Sequence, residues 1–156
     1  MKAVVHRQYG PADAVLSLRD IDKPMIGDND VLVRVRAASM HPDVWHVVEG
    51  LPYVLRLMGN GVRRPKAMVP GTDLAGQVEA IGKNVTRFKV GDEVFGESTP
   101  FGWKSGGAFT EYAAVPQILL ALKTRNVTFE QAAAVPTSGY IALTNLATLE
   151  TGQEVL

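Results

Sequence analysis

Apolar and polar residues alternate most cleanly over Val31-Leu-Val-Arg-Val-Arg-Ala-Ala38, with Val31, Val33 and Val35 on one face and Arg34 and Arg36 on the other. A period of two is the signature of a half-buried strand. The period then changes. Pro42 suits a first helical position, where its missing N–H is an orphan anyway; Asp43 suits the positive end of a helix dipole, and Gly50 supplies a stop. A strand therefore hands over to a short helix through Ser39-Met40-His41, and His41, Asp43, Trp45 and His46 gather within six residues. Junctions of this kind hold side chains on a firm scaffold at a surface opening, which makes this stretch the first candidate for chemistry.

The flanking pattern is also mostly β. Lys2–His6 and Ala14–Ile21 read as short strands joined by the turn Tyr9-Gly10-Pro11, and Pro24 to Asn29 is a second break. Residues 51–69 are interrupted by Pro52, Gly59, Gly61 and Pro65, with room for a helical turn or two over Tyr53–Met58. After the tight turn Pro70-Gly71, Leu74–Ile81 reads as a strand. Its Gly76 implies a bulge, a bend or the close approach of another backbone. Turns at Gly82-Lys-Asn84 and Gly91-Asp92 bracket the approach to a strand ending at Phe95, and Ser98 to Gly107 reads as a mobile loop. Ala108–Val115 and Ile118–Leu122 are further strands. At Thr128 the character changes: Thr128-Phe-Glu-Gln131 matches a capping box, and the helix continues until Pro136 interrupts it. A second helix is expected from about Ser138 to Leu149, with Ile141, Asn145 and Leu149 down one stripe and Gly152 as its stop. Glu154-Val-Leu156 reads as the opening of another strand.

This order predicts a mostly β chain with α elements, an α+β fold built on a bent, barrel-like sheet rather than alternating βαβ units. Residues 1–127 form the first domain, and 128–156 read as the helical entry and first strand of an α/β domain cut at its boundary. The 156 residues carry sixteen charges of each sign, which removes any electrostatic case for nucleic acid or a membrane surface. Cysteine is absent, so disulfides and thiolate metal sites are excluded, which fits a reducing cytoplasm. After Met1 only Ala3, Val4 and Val5 are apolar before His6 and Arg7, too few for a signal peptide, and the longest apolar run, Ile118–Leu122, is far short of a membrane span. Gly59-Asn-Gly61 lacks a third glycine and no strand leads into it, so no dinucleotide fingerprint is present. Ser105 and Ser138 lie in no Gly-x-Ser-x-Gly elbow, which leaves a serine hydrolase unsupported.

Seven blocks in register carry a resemblance. They are Val31–Ser39, His41-Pro-Asp43, Pro70-Gly-Thr-Asp-Leu-Ala-Gly76, Val78–Gly82, Gly91-Asp-Glu-Val-Phe95, Gly106-Gly-Ala-Phe-Thr-Glu-Tyr112 and Ala132-Ala-Ala-Val-Pro136. Together they resemble the N-terminal half of a medium-chain dehydrogenase/reductase of the zinc-free quinone oxidoreductase branch. The resemblance implies a GroES-like, partly open β-barrel catalytic domain, followed in that family by a Rossmann domain that binds NADPH. Zinc-dependent relatives place a cysteine and histidine in the opening stretch and a His-Glu pair after the Pro-Gly turn, and those places here are Met40, Thr72 and Asp73. Thioether and hydroxyl are poor Zn²⁺ ligands, and His41, Asp43 and His46 do not share one helical face, so no metal is expected.

The resemblance also points to site residues. His41 stands where the quinone reductases usually carry an asparagine facing the nicotinamide and substrate. An imidazole there either orients the substrate carbonyl and delivers a proton, or is a helix N-cap histidine with no chemical role. Asp43 is read as a helix-start residue and partner of His41, or else as a general acid. Trp45 and Tyr53 offer aromatic faces to a planar ligand, Tyr53 near the family's substrate-side tyrosine; Trp45 alternatively belongs to the core. Thr137 opens the helix that passes the nicotinamide, and Ile141 replaces the family's next threonine, at the loss of a hydroxyl contact. The cluster Arg63-Arg64-Lys66 is read as a solvated loop, with the 2′-phosphate of NADPH as the alternative. The implied activity is hydride transfer from NADPH to a quinone, enone or aldehyde by the parent enzyme, this portion alone being inactive. The rival is a GroES-like binding or scaffold module using the loop at Ser98–Gly107. An exposed helix face and an unpaired terminal strand further predict a homo-oligomer.

Overall fold

The computed structural model describes residues 1–57, 61–66, 68–99 and 107–146. Its first elements are β1 (Lys2–Val5), a single helical turn α1 (Ala12–Val15) and β2 (Ser17–Asp20), with β1 and β2 paired antiparallel. The strand expected over Ala14–Ile21 is thus shortened from its start. Pro11 places the chain for a helical turn, its carbonyl accepting from the N–H of Ala14 and of Val15, and extended pairing resumes only at Ser17.

The larger sheet is antiparallel throughout. It contains β3 (Asp30–Ala38), β4 (Asp73–Ile81), β5 (Glu93–Glu97), β6 (Tyr112–Pro116) and β7 (Leu120–Leu122), in the order β6-β3-β4-β5-β7. Between β3 and β4 lies α2 (Pro42–Glu49), which begins at Pro42 and ends on Gly50 in the left-handed conformation, as expected. Residues 54–57 are helical, matching part of the turn expected over Tyr53–Met58; Met58 lies outside the described residues. Two strands are shorter than expected. Residues 108–111 leave the sheet register and cross to β1, where Val4 N–H donates to the Phe109 carbonyl and Glu111 N–H to the Lys2 carbonyl. Pro116 likewise opens a 3₁₀ turn at Gln117–Leu119, leaving only Leu120–Leu122 as strand. The crossing at 108–111 binds the β1–β2 ribbon to the five-stranded sheet and gives the bent, partly open barrel.

The alternation in β3 does what it promised. Val31 and Val33 are fully buried against Leu74, Val78, Val94 and Val115, with Val35 packed at the edge of that cluster, while Arg34 and Arg36 are exposed. Each such side chain contributes about 1.5–3 kcal/mol by leaving water. The opposite face of β4 receives α3 (Phe129–Ala133), held by the expected capping box. Gln131 N–H donates to Thr128 Oγ1 at 3.2 Å, and Thr128 N–H to Gln131 Oε1 at 2.9 Å. Ala132 and Ala133 pack on Ala75, small side chains that let helix and sheet approach closely. Pro136 does not merely interrupt a helix; it is the first residue of α4 (Pro136–Leu146), where a proline is tolerated. Leu149, Gly152, Glu154–Leu156 and residues 100–106 of the expected loop lie outside the described residues. The loop's flanks are tied down: Ser98 N–H donates to the Thr72 carbonyl at 2.7 Å and Gly107 N–H to that of Val69 at 3.1 Å. Among the described residues no helix is long and apolar enough to cross a membrane.

Two features of the sheet bear on the site. Pairing passes from Val35 opposite Gly76 to Ala37 opposite Ala75, so Arg36 is an extra residue in a bulge of β3. A Cβ on Gly76 would run into the Arg34 carbonyl oxygen, so both the bulge and the close approach foreseen for this glycine are present. The β4–β5 register also sets Asp73 directly opposite Glu97, an unfavourable like-charge pair. Burial, and then the charge of Asp73, push the Glu97 carboxyl above its usual range, partly offset by His41.

Gly76→Ala is expected to lower the unfolding free energy by about 1–3 kcal/mol in a urea titration, because β3 must shift to admit the methyl group. An unchanged midpoint would show that the bulge yields freely. For Glu97, the raised folded value means that the native state holds this proton more tightly than the unfolded chain does. Ionised Glu97 therefore costs stability, increasingly as pH rises through and above the ordinary glutamate range. Glu97→Gln should raise the melting temperature at neutral pH, with the gain fading in acid. A gain that persists unchanged below about pH 4, under the ordinary glutamate value, would contradict this cause.

Candidate functional site

The site is assembled around the first residue of β4. Gly71, at φ +90°, turns the chain under the ring of Phe109 and delivers Thr72 and Asp73 to the start of the strand. Asp73 is 1% exposed. Its Oδ1 accepts from Thr72 Oγ1 at 3.1 Å and from Thr137 Oγ1 at 2.6 Å, and its Oδ2 accepts from the backbone N–H of Thr137 at 2.9 Å. Three donors satisfy the buried carboxylate, and two of them belong to Thr137 in the first turn of α4, the positive end of that helix.

His41 reaches the same cluster from the other side. It occupies the N-cap position of α2, yet its side chain caps no helix N–H. Instead Nε2 lies 2.8 Å from Thr72 Oγ1 and 3.7 Å from Asp73 Oδ1, while Nδ1 lies 3.7 Å from Asp43 Oδ2. The His41 side chain is 13% exposed and that of Asp43 is 68% exposed, so one edge of the imidazole faces the interior and the other faces the opening. The helix carrying it is anchored at both ends of its buried face by Val44 and by Val47 and Val48. Its C-terminus is closed by Arg56, which donates Nε to the Gly50 carbonyl at 2.7 Å and Nη2 to that of Glu49 at 3.3 Å.

The structure brings His41 and Thr137 together through Thr72 and Asp73. Tyr53 stands apart from that chain of bonds: it is exposed, with the Arg56 guanidinium 4.7 Å from its ring centre. Trp45 is half exposed rather than core and stacks obliquely on His46, whose Nδ1 pairs with the Leu51 carbonyl at 2.9 Å. Ile141 follows Thr137 by one turn of α4 and is exposed, outside the bonded cluster. Arg63, Arg64 and Lys66 are all exposed. A cavity of about 460 Å³ adjoins the cluster, lined by Phe95, Gly96, Glu97, Leu119, Pro136 and Tyr140. Thr72, Asp73 and Glu97 are the residues that sequence reasoning missed as site members. The signal for Asp73 was present: a carboxylate heading the run Leu74-Ala-Gly76, which is buried, needs dedicated partners. Glu97 had none, because its neighbour across the sheet depends on register.

The donor set speaks to what the site can hold. Met40 is exposed and the Thr72 hydroxyl is engaged with Asp73, so neither offers a strong metal donor here. Among the described residues no three His, Cys, Asp or Glu side chains are grouped to hold a metal ion. The Thr137 hydroxyl gives its proton to Asp73, which leaves its oxygen as an acceptor suited to an amide N–H such as that of a nicotinamide carboxamide.

Comparison with known proteins places this architecture. Residues 27–124 match the family model of the alcohol dehydrogenase GroES-like domain. The chain is 37% identical over 139 residues to an NADPH-dependent alkenal/one oxidoreductase of Arabidopsis thaliana, covering 87% of this chain and 34% of that protein. It is 30% identical over 166 residues to the human quinone oxidoreductase, covering all of this chain and 44% of that one. Among solved structures it superposes on the quinone oxidoreductase of Coxiella burnetii with a TM-score of 0.84 at 30% identity, over 98% of this chain and 46% of that one. The chain therefore spans less than half the length of each of these relatives. It belongs to the alcohol dehydrogenase GroES-like domain family of the medium-chain dehydrogenase/reductases.

Proposed function

We propose that this chain is the substrate-side domain of a zinc-independent, NADPH-dependent oxidoreductase that reduces a quinone, an enone or an aldehyde. The observation that carries the reading is the bonded chain His41–Thr72–Asp73–Thr137, which links the start of α2, the start of β4 and the start of the helix leading towards the rest of the protein. Reduction adds a hydride and a proton to the substrate, and NADPH, when bound, supplies the hydride. His41 supplies the proton, its ring held at the opening with one edge towards solvent. Thr137 and Ile141 form the wall facing the nicotinamide, and Tyr53 the outer aromatic wall over the substrate. Asp43 steadies the outer edge of the imidazole.

Zinc independence is supported by chemistry rather than by vacancy. The positions that carry ligands in zinc-dependent relatives hold an exposed thioether, a hydroxyl already used internally and a carboxylate whose oxygens are taken by Thr72 and Thr137. The need for a following domain is supported by α4. None of its residues is buried, although Tyr140, Ile141, Leu143 and Leu146 are large and apolar. A helix apolar on several sides is stable when covered, and the chain beyond Leu156 is the proposed cover.

The decisive experiment is an NADPH titration by fluorescence on this chain and on the longer chain that continues past Leu156. The longer chain is expected to bind NADPH and to oxidise it in the presence of an enone or quinone, and this chain alone to do neither. Absence of binding by the longer chain removes the oxidoreductase reading. Within the longer enzyme, His41→Leu should lower the rate of reduction at saturating NADPH by about 10²-fold or more, the scale of a lost general acid. An unaltered rate would move proton delivery to another group.

A further inference from the structure

The site contains a buried carboxylate that touches neither a solvent-facing group nor the edge of His41 turned to the opening. We infer that Asp73 is a positioning residue: acting through Thr72, it fixes neutral His41 as the Nε2–H tautomer, so that the imidazolium gives substrate its Nδ1 proton and is left as that tautomer. The role for Nδ1 rests on the oxidoreductase reading; the tautomer itself does not.

The inference follows from counting protons in the network. Thr72 has one hydroxyl proton and two neighbours, His41 Nε2 at 2.8 Å and Asp73 Oδ1 at 3.1 Å. Were that proton given to His41, the hydroxyl oxygen would face a carboxylate oxygen at 3.1 Å with nothing between them, two acceptors in repulsion. Given to Asp73, it leaves the Thr72 oxygen as acceptor, and Nε2 must then be the donor. Asp73 Oδ1 and Asp43 Oδ2 stand equally far, 3.7 Å, from Nε2 and Nδ1, but Asp73 is 1% exposed and Asp43 68%, so solvent screens the pull of Asp43 more and the balance favours a proton on Nε2. Asp73 has no freedom to rearrange, because the fixed backbone N–H of Thr137 holds Oδ2 and the Thr137 hydroxyl holds Oδ1. Nδ1, on the edge beside exposed Asp43, is what remains for exchange.

Asparagine at position 73 makes the idea sharp. Its oxygen must take the place of Oδ2 to accept the Thr137 backbone N–H, so its amide nitrogen takes the place of Oδ1. That nitrogen donates to Thr72, whose hydroxyl then turns to His41 and demands an unprotonated Nε2. Asp73→Asn should therefore invert the tautomer rather than merely loosen the site.

The test is side-chain ¹⁵N NMR of this chain above the ordinary imidazole range, with His41→Asn used to assign the ring against His6 and His46. The expected wild-type result is a protonated Nε2 and a bare Nδ1 on His41. Asp73→Asn exchanges the two, Thr72→Val gives a mixture, and Thr72→Ser restores the wild-type pattern. Should Asp73→Asn fail to fold, the two Thr72 variants still decide the matter. A wild-type Nδ1–H, or a tautomer indifferent to Thr72→Val, overturns the proposal. In the longer enzyme Asp73→Asn should reduce kcat about 10²-fold or more with KM little changed. An inverted tautomer with unchanged kcat would overturn the assignment of Nδ1. Failure of NADPH binding, by contrast, would leave the NMR result standing and count only against the oxidoreductase reading.

Discussion

One buried carboxylate organises this domain. An aspartate that is 1% exposed costs several kcal/mol unless its charge is met by donors, so wherever Asp73 goes, partners must follow. Two of them, the hydroxyl and the backbone N–H of Thr137, come from 64 residues away and belong to the first turn of α4. The third, Thr72, passes the constraint on to His41. The start of a strand, the start of a helix and the N-cap of a second helix are thus tied to one group. None of the three can move far without stranding a charge in the interior.

The rest of the sheet serves to put that group where it is. β4 is covered on one face by the valine cluster and on the other by α3, which is why its first residue is buried at all. The bulge of β3 at Arg36 and the glycine opposite bring the strand end leading to His41 over the start of β4. Ser39 N–H donates to the Asp73 carbonyl at 3.2 Å, so the backbone just before His41 is bonded to the same residue that holds its side chain. The crossing of residues 108–111 to β1 closes the barrel beneath the turn at Gly71. Packing sets the positions, and the hydrogen bonds then select one arrangement of polar groups within them.

Much of this was legible in the chain itself, and the failures share one cause. The β3–α2 junction, the stop at Gly50, the strange glycine at 76 and the capping box at Thr128 are local signals, read from neighbours within a turn or a strand pair. The strand limits at Ala14–Ile21, Ala108–Val115 and Ile118–Leu122 were too generous. An apolar run does not say where a proline will start a helical turn, as Pro11 and Pro116 do, or where the chain will change partner strands. Asp73 was visible only as the residue standing at one of the ligand positions of the zinc-dependent relatives. Its pairing with Thr137, and the register that sets it against Glu97, are long-range facts that no local pattern carries. Tyr53 lies outside the bonded chain, beside Arg56, whose guanidinium closes the C-terminus of α2.

The same constraint gives a physical meaning to histidine at position 41, where the resembling enzymes usually carry asparagine. An amide offers a donor and an acceptor at fixed ends and keeps both at every ordinary pH. An imidazole offers the same pair only if its tautomer is specified, and gains in return a proton that can leave near neutral pH. A ring free to choose its tautomer would spend part of its time with the wrong nitrogen towards the opening. The chain from His41 through Thr72 to a carboxylate locked by Thr137 removes that choice without exposing the carboxylate to substrate. It also makes the imidazole sensitive to α4, since displacing Thr137 would release Asp73, then Thr72, and finally the ring. Under the proposed role of His41, a domain that docks against α4 would hold in place a tautomer that this chain already sets.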